Sequence, residues 1–208
     1  MKYIKNKTKH IWGYIRKFII WVTAAVAVGL LGGIAGVLFH YAVDYVTELR
    51  GEHNYMLYLL PAGGILIAGM YRLFSSKGKI DTNRVMESVR EDTNIPPVMV
   101  PLIFISTVIT HAFGGSAGRE GAALQIGGGI GYNFGRLFKF DKENIHIITM
   151  AGMSSVFAAL FGTPVTAAVF SLEVIRVGIL NYTGLLACMI SSATAYCLSL
   201  FFGAEGTI

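Results

Sequence analysis

The sequence predicts an all-α, polytopic membrane protein with broken and re-entrant helices. Of its 208 residues, 54% are hydrophobic and only 14% are charged. Soluble domains carry about 25% charged residues, so the polar surface that keeps a globule in water is missing. Apolar runs recur along the chain at roughly 20 residues each, long enough to cross a bilayer core at about 1.5 Å rise per residue. Glycine and proline cut the later runs, which is the pattern of short membrane helices that line a transport site.

The apolar content excludes a disordered chain, and a count of two cysteines excludes a disulfide scaffold. Cys188 and Cys197 share one apolar run with no histidine near it, so they read as reduced, buried small hydrophobes and not as metal ligands. No cofactor or metal is implied. The formal net charge of +5 could suggest nucleic acid, but its placement excludes that partner. Met1 to Lys17 carries Lys2, Lys5, Lys7, Lys9, Arg16 and Lys17 and no acid, directly before an apolar run. The expectation is a cytoplasmic basic segment over 1–17, held at an anionic leaflet of the cell membrane, and a membrane domain over 18–208.

Phe18 to Phe39 is apolar or small throughout and reads as the first span. Ala25-Val26-Ala27 resembles a cleavage site, but the apolar run continues past it, which favours an uncleaved span. Asp44, Glu48, Arg50, Glu52 and His53 then suggest an outer loop. Tyr55 to Phe74 is the second span, and Arg72, Lys77, Lys79, Arg84 and Arg90 place the following loop inside. Pro96 to Phe113 is apolar, whereas Gly114 to Gly135 holds nine glycines in 22 residues. Ile145 to Leu172 is cut at Gly162-Thr163-Pro164, which predicts two short helices. Arg136, Lys139 and Lys142 before that pair and Arg176 after it predict that both its ends face the cytoplasm. Thr183 to Phe202 forms a last span.

Small residues four apart, Gly32/Gly36 and Gly127/Gly131/Gly135, predict close helix packing. Tyr132, Phe134, Phe138 and Phe140, and Trp12 and Trp21, read as interfacial anchors. Glu173 and Arg176, three residues apart, read as an ion pair on one helix.

The segment that carries chemistry is Gly114-Gly115-Ser116-Ala117-Gly118-Arg119-Glu120-Gly121-Ala122-Ala123, a glycine-rich turn opening into a helix near Glu120. A helix start carries about half a positive charge and up to four unpaired N–H donors, so in a membrane it attracts a dehydrated anion. Glycines let the backbone approach such an ion. An ionised carboxylate at the same end can occupy the anion's place and leave on protonation. Burial disfavours its charged form and the helix end favours it, which links proton uptake to anion entry. The alternative is a structural Arg119–Glu120 ion pair.

Gly118-Arg119-Glu120-Gly121 resembles the Gly-Lys/Arg-Glu-Gly-Pro signature of the CLC family of chloride channels and proton-coupled anion antiporters. Gly162-Thr163-Pro164-Val165-Thr166-Ala167-Ala168-Val169-Phe170-Ser171-Leu172-Glu173 is similar to that family's proline-containing helix ending in Glu. The resemblance covers Phe18 to the C-terminus and implies one inverted-repeat half of a CLC-type fold. It implies transmembrane passage of chloride or fluoride, by a channel or a proton-coupled antiporter, with Glu120 as the gating and proton-accepting residue. Gly118 and the amides of Arg119, Glu120 and Gly121 would form the outer anion site. The family's Gly-Ser-Gly-Ile-Pro loop has no match here. Its place reads Gly78 to Arg84, where Thr82 or Asn83 would offer the donor to a central anion, unless the segment is only a cytoplasmic loop. A residue other than serine there resembles the fluoride/proton branch. Ala122 replaces the signature proline, and Val174 stands where chloride antiporters carry a second proton-relay carboxylate. The resemblance finds no match for the second repeat, with its anion-binding helix end and tyrosine, which implies either a fragment of a split or truncated gene or a chain that needs a complementary or identical half.

Two other functions fit parts of the sequence. His111 and Ser116 suggest an intramembrane serine protease, but Ala117 follows Ser116 where that chemistry needs glycine, so no enzyme is expected. The remaining alternative is an inactive, truncated membrane protein whose motifs survive as packing.

Overall fold

The computed structural model describes residues 2–75, 85, 87, 88, 93–175 and 182–204, with 2–17 and 54 by backbone alone. All regular structure among them is helical: α1 (Lys2–Glu52), a 3-10 turn (Asn54–Leu59), α2 (Leu60–Ser75), α3 (Met99–Ala112), α4 (Arg119–Leu137), α5 (Lys142–Phe161), α6 (Pro164–Glu173), a second 3-10 turn (Tyr182–Gly184) and α7 (Leu185–Phe201). Four stretches are long and apolar enough to cross a membrane, Phe18–Glu52, Tyr55–Phe74, Lys142–Phe161 and Tyr182–Phe201. Large apolar side chains such as Leu30, Ile34, Leu38, Ile65 and Leu66 face outward, as they do where the surrounding solvent is lipid.

α5 is the centre of the bundle. It packs against α4, α7, α1 and α6, and Ile148, Met153, Val156 and Leu160 are fully enclosed. Its approach to α4 is backbone to backbone. A side chain on Gly127 would collide with the Gly152 carbonyl, one on Gly152 with the Gly127 carbonyl, and one on Gly131 with the Ile148 carbonyl. The six glycines of α4 would ordinarily weaken a helix, at up to about 1 kcal/mol each. Here several of them let two helices touch closely, and the dispersion contacts offset that cost.

α1 uses the same device twice. Gly32 and Gly36 lie against Ser155 and Ala159 of α5, while Gly29 and Gly33 lie against Ser191 and Ala195 of α7. The Gly32/Gly36 and Gly127/Gly131 spacings thus act as packing positions, and Gly135 lies against Ile148 and Ile145. Between α5 and α7, Ser154 Oγ donates to the Cys188 carbonyl at 3.1 Å.

Several sequence expectations are corrected. α1 does not end at Phe39. It runs on through Glu52, so Asp44, Glu48, Arg50 and Glu52 are helical and form no loop. Phe39 and Val43 stay on its buried side, and neither proline nor glycine falls between Phe39 and Arg50. Arg72 is likewise in the last turn of α2, while Lys77, Lys79, Arg84, Arg90 and Arg176 lie outside the described residues. The break at Gly162-Thr163-Pro164 is where proline and glycine put it, with Gly162 at φ +69° and Pro164 opening α6. The first arm is not short, however: α5 has 20 residues and meets the length of a span.

Cys188 is buried as expected, but Cys197 is exposed on the outer face of α7. Tyr132 is no interfacial anchor. It is buried and donates its hydroxyl to Asn94 Oδ1 at 2.7 Å. Phe134 stacks on Phe138 and Phe140, and Trp21 on Phe140.

Candidate functional site

The site begins where α3 stops. Gly114, at φ +82°, turns the chain, and its N–H and that of Gly115 return to the carbonyls of His111 (3.1 Å) and Thr110 (2.8 Å). These bonds satisfy the last carbonyls of α3 and release the chain toward α4. A left-handed φ of this kind favours glycine, since a Cβ there strains the backbone.

α4 then starts at Arg119 behind an extended Gly118 (φ −63°, ψ 127°), and no side chain caps it. Ser, Thr, Asp or Asn at that position would have consumed one of the free N–H donors. Glycine leaves them open. Glu120 sits in the first turn, so the acid lies at the positive end of the helix and not partway along it. Its carboxyl folds back over that end: a side chain added at Gly118 would meet Glu120 Oε2 at 3.0 Å. Glu120, Gly118 and Gly121 are all exposed on this chain, whereas the following Ala122 and Ala123 are buried. The acid was expected to be buried, and the described residues do not enclose it. Gly121 faces open space, with nothing within 4 Å of where its Cβ would be.

Arg119 does not pair with Glu120. Its NH1 lies 3.2 Å from Asp44 Oδ1 on α1, and the other carboxylate oxygen, Asp44 Oδ2, lies 3.2 Å from His40 Nε2. Neighbouring side chains on a helix diverge, which explains why the guanidinium reaches across to α1 instead. Asp44 and His40 are the site residues that sequence reasoning missed. Their four-residue spacing puts them on one face of a helix, and a loop over the same segment carries no such signal.

Thr82 and Asn83 lie outside the described residues. So does Arg176, the expected partner of Glu173. His111 Nδ1 lies 2.9 Å from the Thr107 carbonyl of its own helix, and Arg50 NH1 reaches the His111 carbonyl at 3.4 Å. At the far end of α4 a cavity of about 210 Å³ is lined by Asn94, Tyr132, Arg136, Lys142 and His146 among others. Among the described residues no cluster of His, Cys, Asp and Glu could hold a metal ion.

Comparison with known proteins gives these features a context. The chain is 36% identical over 183 residues to a chloride/fluoride channel protein of Pseudomonas syringae pv. tomato, covering 88% of this chain and 40% of that one. It is 27% identical over 167 residues to an H(+)/Cl(-) exchange transporter of Vibrio vulnificus, covering 73% and 36%. Among solved structures it resembles a CLC-type fluoride/proton antiporter, with a TM-score of 0.85, 29% identity, and coverage of 91% of this chain and 48% of that one. It also shares the fold of a slow cyanobacterial Cl-/H+ antiporter at a TM-score of 0.67, 21% identity, and coverage of 86% and 46%. The chain spans less than half the length of each of these relatives. The model of the family described as voltage gated chloride channel matches residues 63–208. With that match over most of the chain, the fold it shares with the CLC-type fluoride/proton antiporter and a helix start at Arg119, this protein is a member of the voltage gated chloride channel family.

Proposed function

We propose that the chain contributes one half of a pathway for chloride or fluoride across the cell membrane, coupled to protons through Glu120. The observation that carries this is the uncapped start of α4 with the Glu120 carboxyl folded over it. Free N–H groups and the helix dipole favour a negative group there, and a carboxylate and an anion compete for one place. Protonation removes the carboxylate's claim on that place and admits the ion. The amides of Arg119, Glu120 and Gly121 and the open side of Gly118 would then face the anion, with Thr82 or Asn83 as the donor further in.

The exposure of Glu120 supports a need for a complementary half or an identical partner to close the site, because a dehydrated ion requires donors on more than one side. The basic segment 1–17 supports a cytoplasmic N-terminus. The broken helices and the absence of a serine in the Gly78 to Arg84 segment favour transport over proteolysis, and fluoride alongside chloride.

The test is anion uptake by proteoliposomes carrying the chain alone and mixed with a second-half protein, read with chloride and fluoride electrodes. Glu120→Ala is expected to uncouple uptake from protons, and Glu120→Gln to mimic the protonated residue. Uptake equal to that of empty vesicles in every preparation overturns the proposal and leaves a structural membrane protein.

A further inference from the structure

We infer that Asp44 is a positioning residue for the proposed anion site: it draws the Arg119 guanidinium onto α1 and keeps that cation from becoming an anion ligand. The inference rests on the reading of the α4 start as the place where the ion binds.

Arg119 is the first residue of α4, so its amide belongs to the helix start while its side chain is free to go elsewhere. It goes to Asp44, 75 residues earlier in the chain, with the Arg119 side chain 23% and the Asp44 side chain 38% exposed. The carboxylate is not a floppy acceptor. One oxygen takes the guanidinium and the other faces His40 Nε2, both at 3.2 Å. His40 is itself buried at 7% exposure and stacks edge-on against Tyr41. Tyr41 is pinned by its hydroxyl, which donates to the Phe202 carbonyl at 2.7 Å beyond α7. A line of contacts from the end of α7 through α1 therefore fixes where the Arg119 charge sits.

The consequence follows from Coulomb's law. A guanidinium about 7 Å from an anion, at an effective dielectric of about 20, would hold that anion tens of times tighter. A conducting site has to release its ion, so binding that tight slows passage. With Asp44 in place the guanidinium is neutralised on the α1 side, and the ion meets amide dipoles alone.

The experiment is calorimetric titration of fluoride and of chloride into the purified full chain, alone and mixed with the second-half protein, followed by the concentration dependence of uptake in proteoliposomes. Asp44→Asn is expected to tighten anion binding about fivefold or more and to lower both KM and kcat for uptake. Asp44→Glu, which keeps the charge, tightens less. Adding Arg119→Gln to Asp44→Asn abolishes the tightening, because the released cation is gone. A merely structural role for Asp44 would weaken binding in Asp44→Asn and would not depend on Arg119. If Asp44→Asn fails to fold, His40→Ala reports instead, with a smaller tightening of about twofold as the carboxylate loses one anchor. Weakened or unchanged binding in folded Asp44→Asn or, in its place, folded His40→Ala overturns the inference, as does tightening that survives Arg119→Gln. Binding that responds to Glu120 but ignores Asp44 and His40 overturns this inference and leaves the proposed function standing. A wild-type chain that binds neither ion, alone or mixed with the second-half protein, overturns both.

Discussion

Gly152→Ala tests whether the glycines of α4 and α5 are there for contact. In an exposed helix this change would stabilise, by up to about 1 kcal/mol, because alanine loses less backbone freedom on folding. At Gly152 the added methyl would collide with the Gly127 carbonyl and stand 2.9 Å from Gly131 N and 3.0 Å from Gly131 Cα. All three are backbone atoms of a packed helix, so none can rotate away. Ordinary contact requires about half an ångström more at Gly131, and the two helices have to part along their closest stretch. Overpacking of this kind costs about 1–3 kcal/mol, and the backbone nature of all three contacts puts Gly152→Ala at the upper end. After subtracting the propensity gain the net loss is about 2 kcal/mol, or about 5 °C in the midpoint of a chain this size. The assay is thermal unfolding in detergent read by a thiol-reactive dye at the enclosed Cys188, in a Cys197→Ser background. Gly64→Ala and Gly69→Ala are controls, since nothing lies within 4 Å of either added methyl. A Gly152→Ala midpoint equal to those of the controls refutes the packing argument.

Two further substitutions probe other parts of the fold. Phe39 is fully enclosed and its ring centroid lies 5.4 Å from that of Phe104, so Phe39→Ala should cost about 3–5 kcal/mol and abolish a monodisperse peak in size-exclusion chromatography. Gly162, at φ +69°, ends α5, so Gly162→Ala should cost about 1 kcal/mol and lower the same thiol-monitored midpoint by about 3 °C.

The membrane class was legible because it depends on composition, which no tertiary contact alters. The break before α6 was legible because Gly162 and Pro164 act on their own backbone. The extent of α1 was not. Asp44, Glu48, Arg50 and Glu52 carry the charge expected of a loop, whereas the helix continues because Phe39 and Val43 keep their buried face. What makes Asp44 tolerable there is Arg119, a partner that only the folded chain brings near. Glycine spacing shows the same limit. Gly32/Gly36 announced a contact face, but not that Gly29/Gly33 would form a second one against a different helix. The start of α4 was readable to within a residue, because Gly118 and the acid after it are local signals of a helix N-terminus.

Gly121 separates the proposed site from the fold that carries it. It lies in the first turn of α4, is exposed, and has nothing within 4 Å of where a Cβ would go. Alanine there meets no atom of another described segment, and its helix propensity exceeds that of glycine, so Gly121→Ala should leave the melting midpoint unchanged or raise it slightly. Only something bound against that backbone would feel the methyl. An anion held by the N–H groups of the first turn approaches within about 3 Å, closer than a methyl carbon allows on the same side. Gly121→Ala is therefore expected to weaken fluoride and chloride binding at least severalfold, with the larger loss for chloride, the bigger ion. Calorimetric titration beside a melting curve reads both quantities from one preparation. Unchanged affinity in a folded Gly121→Ala protein would place the ion elsewhere, and the open start of α4 would then be a feature of the fold without a ligand.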